Sequence, residues 1–145
     1  MYRNILVALN ETGSARRALL RAIGLAAEFN ATLTAITVVQ ALPPYAAYAA
    51  ASSSEAIQMM KRDDQDSLAG LLESAQREAA RHDIEIETIL SDGPVVATLV
   101  EAVQRNHIDL LVLGIHPEQG LLRWLTVSTA HELAQKAACD LLGVR

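Results

Sequence analysis

The chain has a single cysteine, Cys139, among its 145 residues, so an internal disulfide is impossible and nothing points to an oxidising compartment. It has no basic run longer than the pairs Arg16-Arg17 and Lys61-Arg62, and 12 lysines and arginines face 17 acidic residues, for a net charge of −5. The electrostatic footprint of a polyanion binder is therefore missing, and nucleic acid is excluded as an expected partner. No apolar run approaches the roughly 20 residues that a membrane span needs, so no membrane association is expected. Met1-Tyr-Arg-Asn leads into an apolar stretch too short for a signal sequence and without a small-residue cleavage site, which makes the cytoplasm the expected location. The histidines, His82, His107, His116 and His131, lie on four different segments and share no ligand spacing, so no metal site is expected. Gly-x-Ser-x-Gly is absent as well, and no nucleophile motif accompanies His116. The sequence predicts a protein that is not an enzyme.

What is present is a soluble globular composition, 51% hydrophobic and 20% charged, at the commonest length for one domain, here residues 1–145. Apolar runs of strand length alternate with stretches of helical period. Ile5 to Leu9 is almost continuously apolar, as in a central strand covered on both faces. Asn10-Glu-Thr-Gly-Ser14 breaks it, with Thr12 or Ser14 able to cap a helix whose inner stripe is Ala15, Ala18, Leu19, Ala22, Ala26 and Phe29, stopped at Asn30. Leu33 to Val39 is a second strand, closed by Pro43-Pro44. Residues 41 to 54 lack periodicity and read as a loop or lid. Ser52-x-x-Glu55 signals a capping box for a long helix running to about Arg81, with Ile57, Met60, Leu68, Leu71, Ala75 and Ala79 inward.

Ile84 to Leu90 alternates as a third strand with Ile84, Ile86, Thr88 and Leu90 on its dry side, and it belongs toward an edge. Pro94 is placed at the first position of a helix with Val96, Leu99, Val100 and Val103 inward, ending at Asn106. Ile108 to Leu113 is the fourth strand. A last helix starts near Ser128, capped by Ser128 or Thr129 with Thr129-x-x-Glu132 as a capping box, and buries Ala130, Leu133, Ala134 and Ala137 before the short strand Leu141 to Val144. Right-handed crossovers then give an α/β, Rossmann-like, doubly wound five-stranded parallel sheet of order 3-2-1-4-5. Its switch point lies between strands one and four, where the loops Asn10 to Ser14 and Gly114 to Ser128 meet. Ligands of open α/β sheets bind at such a point.

Tyr2-Arg-Asn-Ile-Leu-Val-Ala-Leu9, Asp109-Leu-Leu-Val-Leu-Gly114, the loop to Ser128 and Ala138-Cys-Asp-Leu-Leu-Gly-Val-Arg145 give the chain its resemblance to the universal stress protein family over essentially its whole length. The resemblance implies an adenine nucleotide α-hydrolase-like fold and, in the nucleotide-binding members, the pattern Gly-x2-Gly-x9-Gly-Ser/Thr after strand four plus an aspartate after strand one. Gly114 matches the first glycine and Ser128 the last position, with Gly120 and Arg123 where such loops carry glycine and a basic residue. Pro117 and Val127 replace the other two glycines, and Asn10 replaces the aspartate. Proline removes a donor and the positive φ. Valine crowds the helix start. The residues assigned to a nucleotide or anion site are Asn10, Val39, Gly114, His116, Gly120, Arg123, Ser128 and Thr129.

These substitutions predict that no cofactor is required and that ATP is not bound. The alternative is an ATP- or AMP-binding switch, and a third class is a small hydrolase using His116. As plain structure, the glycines only relieve turn strain. Cys139 reads as a small buried hydrophobe. Trp124, beside Leu121, Leu122 and Leu125, either packs under the loop or contacts a partner. The resemblance also implies a homodimer through the edge strand Leu141 to Val144, which carries no charge before Arg145, and action through unidentified protein partners.

Overall fold

The computed structural model describes residues 1–40, 54–116 and 126–145, with the backbone alone at 54, 56, 57, 60 and 61. The loop expected over 41–54, the cap position Ser52, Pro117 and the Trp124 cluster thus lie wholly or largely outside the described residues.

The strands are β1 (Asn4–Ala8), β2 (Thr32–Val39), β3 (Ile86–Asp92), β4 (Leu110–Gly114) and β5 (Asp140–Val144). They pair in parallel in the order β3-β2-β1-β4-β5, as the alternation of apolar runs and helical stretches predicts. Four helices are described: α1 (Gly13–Phe29), α2 (Ser54–Ala80), α3 (Val95–Arg105) and α4 (Val127–Lys136). Successive side chains of a strand point to opposite faces, and the core divides accordingly. Ile5 and Val7 pack with Ala18, Ala22, Ala26 of α1 and Leu72, Ala75, Ala79 of α2 on one face. Leu6 and Ala8 pack with Leu99 and Val103 of α3 and Ala130 and Leu133 of α4 on the other. Burial on both faces explains the unbroken hydrophobicity of β1.

The punctuation works as its chemistry dictates. Thr12 caps α1 by accepting the Ala15 amide at 3.2 Å. Asn30 ends the helix in the left-handed conformation at φ 52°, its amide donating to the Ala26 carbonyl.

Four expectations need correction. The third strand runs two residues later than Ile84–Leu90, and its inner positions are Ile86, against the α1/α2 core, and Ile89, against the α3/α4 core. Thr88 and Leu90 are exposed, because an edge strand is covered only over part of each face. Pro94 is the cap of α3 rather than its first residue. The cap of α4 is Thr126, one turn earlier than Thr129, so Thr129 and Glu132 form no capping box. Ala134 is exposed, since the short α4 buries only Ala130 and Leu133.

The ends of the central strands are tied by side chains. Asp109 accepts the amides of Arg3 at 2.8 Å and Asn4 at 3.1 Å, joining the start of β1 to β4. The Tyr2 hydroxyl donates to Asp140 at 2.8 Å, joining it to β5. That donated proton, with the carboxylate charge beside it, raises the Tyr2 phenol above its ordinary 10.0. The folded state thus favours protonated Tyr2. The contribution is complete below about pH 10 and is lost as pH rises through the folded value. Melting temperatures measured from pH 8 to pH 11 should fall more steeply in the wild type than in Tyr2→Phe. Parallel curves would show that the contact adds nothing.

Candidate functional site

The parallel order puts the carboxyl ends of β1 and β4 side by side, with α1 and α4 starting at that edge. Leu9 prolongs β1 through its amide, which donates to Ile36 at 2.8 Å, and the buried Thr37 hydroxyl donates to the Leu9 carbonyl at 2.9 Å. Asn10 is therefore held at the sheet rim and is only 7% exposed. Its Oδ1 accepts the Thr12 hydroxyl at 2.6 Å and the Thr12 amide at 3.2 Å. The side-chain oxygen that could have met a ligand is spent shaping its own loop, an Asx turn that presents Thr12 as the cap of α1.

Gly114 ends β4 directly against the start of α1. A β-carbon there would collide with the backbone of Ser14 and Ala15. The absence of a side chain is what allows strand and helix to approach this closely. The first glycine of the nucleotide pattern thus has a structural reason to be glycine, independent of any phosphate. One residue on, the Ile115 amide donates to the Val144 carbonyl at 2.7 Å and prolongs the β4–β5 ladder. His116 follows, half-buried.

At the start of α4 the hydroxyls of Thr126, Ser128 and Thr129 cluster. Thr126 Oγ1 accepts the Thr129 amide at 3.2 Å and lies 2.9 Å from Ser128 Oγ and 3.1 Å from Thr129 Oγ1. One donor that would face an anion is thereby taken by the cap. Val127 fills the first helical position and is 61% exposed, so its branched side chain stands where the nucleotide pattern has none. Val39 closes β2, and its carbonyl accepts the Gly93 amide at 3.2 Å.

Of the residues assigned from sequence, Asn10 and Gly114 thus converge on the first turn of α1, the one by its loop and the other by packing. Ser128 and Thr129 lie on the same sheet edge by topology, with no hydrogen bond to Asn10 or Gly114 among the described residues. Val39 is tied instead to the turn before α3. Gly120 and Arg123 fall outside the described residues. Thr126 was missed because three hydroxyls, at 126, 128 and 129, compete for one cap in the sequence.

The remaining chemistry is sparse. Among the described residues no three His, Cys, Asp or Glu side chains are placed to hold a metal. Burial pushes the half-buried Cys139 thiol above its ordinary value, which disfavours the thiolate and with it nucleophilic behaviour. A cleft of about 530 Å³ begins at Asn10 to Thr12 but runs away from β4, between α1 and α2.

The profile of the universal stress protein family matches residues 1–145. A universal stress protein of Methanocaldococcus jannaschii, MJ0531, is 28% identical over all of this chain and 83% of its own length. Among solved structures, the universal stress protein UspA from Lactobacillus plantarum superposes with a TM-score of 0.81 at 23% identity, over 99% of this chain and 98% of that one. An Arabidopsis thaliana protein of the same family, solved with AMP bound, superposes with a TM-score of 0.67 at 16% identity, over 98% of this chain and 90% of that one.

Proposed function

Since the chain belongs to the universal stress protein family, we propose that it is a noncatalytic, cytoplasmic, homodimeric stress protein that works through protein partners and does not hold ATP. The observation that carries this reading is the start of α4, where Val127 occupies the first helical position and the Thr126 hydroxyl takes the Thr129 amide. A phosphate cradle needs open backbone donors and room for close approach. Asn10 supports the same reading, since its oxygen is committed to Thr12 and it carries no charge to hold a ribose or amino group. Both features count against adenine nucleotide at this edge.

Nucleotide binding is the second reading. It is favoured by the hydroxyl cluster on the α4 terminus and by the AMP in the Arabidopsis relative. Thermal shift separates the two. A ligand at about a hundred times its dissociation constant adds about 2.7 kcal/mol, which raises the melting temperature of a domain this size by roughly 5–10 °C. Millimolar ATP or AMP with magnesium is expected to leave it unchanged, and a rise of that size would overturn the first reading. Release of phosphate from ATP by the purified protein would instead favour a hydrolase.

Support for the dimer comes from β5. The Asp140 amide donates to Asp109 and the Val144 carbonyl accepts from Ile115, so by alternation the polar groups of Leu141 and Gly143 face outward along the bare edge. Leu141, Leu142 and Val144 are half-buried there, and no described residue pairs with that edge. Light scattering at micromolar protein should give about twice 15.6 kDa. Leu141→Pro, which deletes an outward donor, should weaken association by at least about tenfold. A wild-type monomer would contradict edge pairing.

A further inference from the structure

A cleft opens from the Asn10 to Thr12 loop and continues between α1 and α2. At about 530 Å³ it falls within the range of small-molecule sites. Its floor is apolar, with Leu19 of α1 and Leu71 and Ala75 of α2, and its rim carries Arg16, Arg77 and Arg81. Of the two carboxylates at this rim, only Glu78 is ion-paired. Glu11 accepts the Ser67 hydroxyl at 2.6 Å, while Glu78 pairs with Arg81 at 3.1 Å and faces His82 at 3.7 Å. Arg16 and Arg77 make no ion pair among the described residues, and the one side-chain bond of Arg77 is to the neutral Ser74 hydroxyl at 3.1 Å. Two permanently charged guanidinium groups that make no ion pair among the described residues thus border an apolar trough whose carboxylates, Glu11 and Glu78, are outnumbered by Arg16, Arg77 and Arg81.

We infer that the α1–α2 cleft is a binding site for an organic anion with an apolar body, its charge taken by Arg16 and Arg77 and its body laid over Leu19, Leu71 and Ala75. Guanidinium groups donate in pairs to carboxylate, sulfonate or phosphate oxygens. The apolar floor selects against small inorganic anions, which have nothing to bury there. This site shares the Asn10 to Thr12 loop with the β1 and β4 edge but takes its charge and its apolar floor from α1 and α2.

Anilinonaphthalene sulfonate is a suitable probe because its fluorescence reports apolar surroundings, and phenylnaphthylamine supplies the same aromatic body without the charge. Titration of the full chain should give one saturable sulfonate site, with the uncharged compound at least about tenfold weaker. The doubly substituted Arg16→Ala, Arg77→Ala protein should lose at least about tenfold in sulfonate affinity while melting at the wild-type temperature, since neither arginine supports the core. Methyl resonances of Leu71 and Ala75 should shift on titration. Equal affinity for the uncharged compound, unchanged binding by the double variant, or perturbation confined to Ser128 and Thr129 would each overturn the assignment. Displacement of the probe by AMP would place both ligands in one site and overturn the assignment of a separate anion site.

Discussion

Gly114→Ala is expected to destabilise the protein by about 3 kcal/mol or more, lowering the melting temperature by roughly 6–12 °C. The added β-carbon would meet the backbone of Ser14 and Ala15, not the flexible tip of a side chain. Backbone in the first turn of α1 can yield only by moving the helix, and the helix is seated by the buried Ala15, Ala18, Leu19 and Ala22. Thermal unfolding in the absence of any ligand measures the effect. A glycine kept solely for a phosphate would tolerate alanine when no phosphate is present. A loss of under about 0.5 kcal/mol, the usual size for a neutral surface change, would therefore show that the close approach of β4 to α1 is not what holds glycine at this position.

Leu111→Ala should cost about 3 to 5 kcal/mol, the range for truncating a leucine that its surroundings cannot replace. Leu111 is fully buried on the α3/α4 face, in the cluster that holds Leu6, Leu99 and Leu133. It sits in β4 with β1 on one side and β5 on the other, so hydrogen-bonded strands resist collapse into the cavity. Urea unfolding should show a lower midpoint with an unchanged slope. Leu90→Ala offers the contrast within the same sheet. Leu90 is 43% exposed on β3, and its truncation should cost less than about 1 kcal/mol. Comparable losses at the two positions would contradict the burial pattern of the edge strand.

That contrast marks how far the fold was legible in the sequence. β1, β2 and β4 are covered on both faces, and continuous apolar runs such as Ile5 to Leu9 are what a strand buried on both faces requires. Parallel order and handedness then follow from the helices between them. β3 misled because alternation assumes one dry face and one wet one, whereas Ile86 and Ile89 serve opposite cores from the sheet rim. Leu90, in phase with Ile86, is left outside.

Site residues divide on the same principle. Thr12 and Asn30 were readable because capping is local chemistry, decided by a few neighbouring residues. Thr126 was not, because Ser128 and Thr129 offer the same chemistry one turn later. The glycine at 114 was readable as a motif position, but its reason was not, since the contact with Ser14 and Ala15 spans a hundred residues of sequence. Arg16 and Arg77 likewise look like ordinary solvated helix positions until α1 and α2 are laid side by side.

With Asn10 bound into its own loop and Val127 at the start of α4, the β1 and β4 edge is expected not to accept adenine nucleotide. Titration calorimetry of the purified wild-type chain with magnesium ATP measures this directly. A flat titration is expected at protein concentrations that would reveal micromolar affinity. A saturable isotherm with a micromolar dissociation constant, abolished by substitution at Ser128, would contradict it.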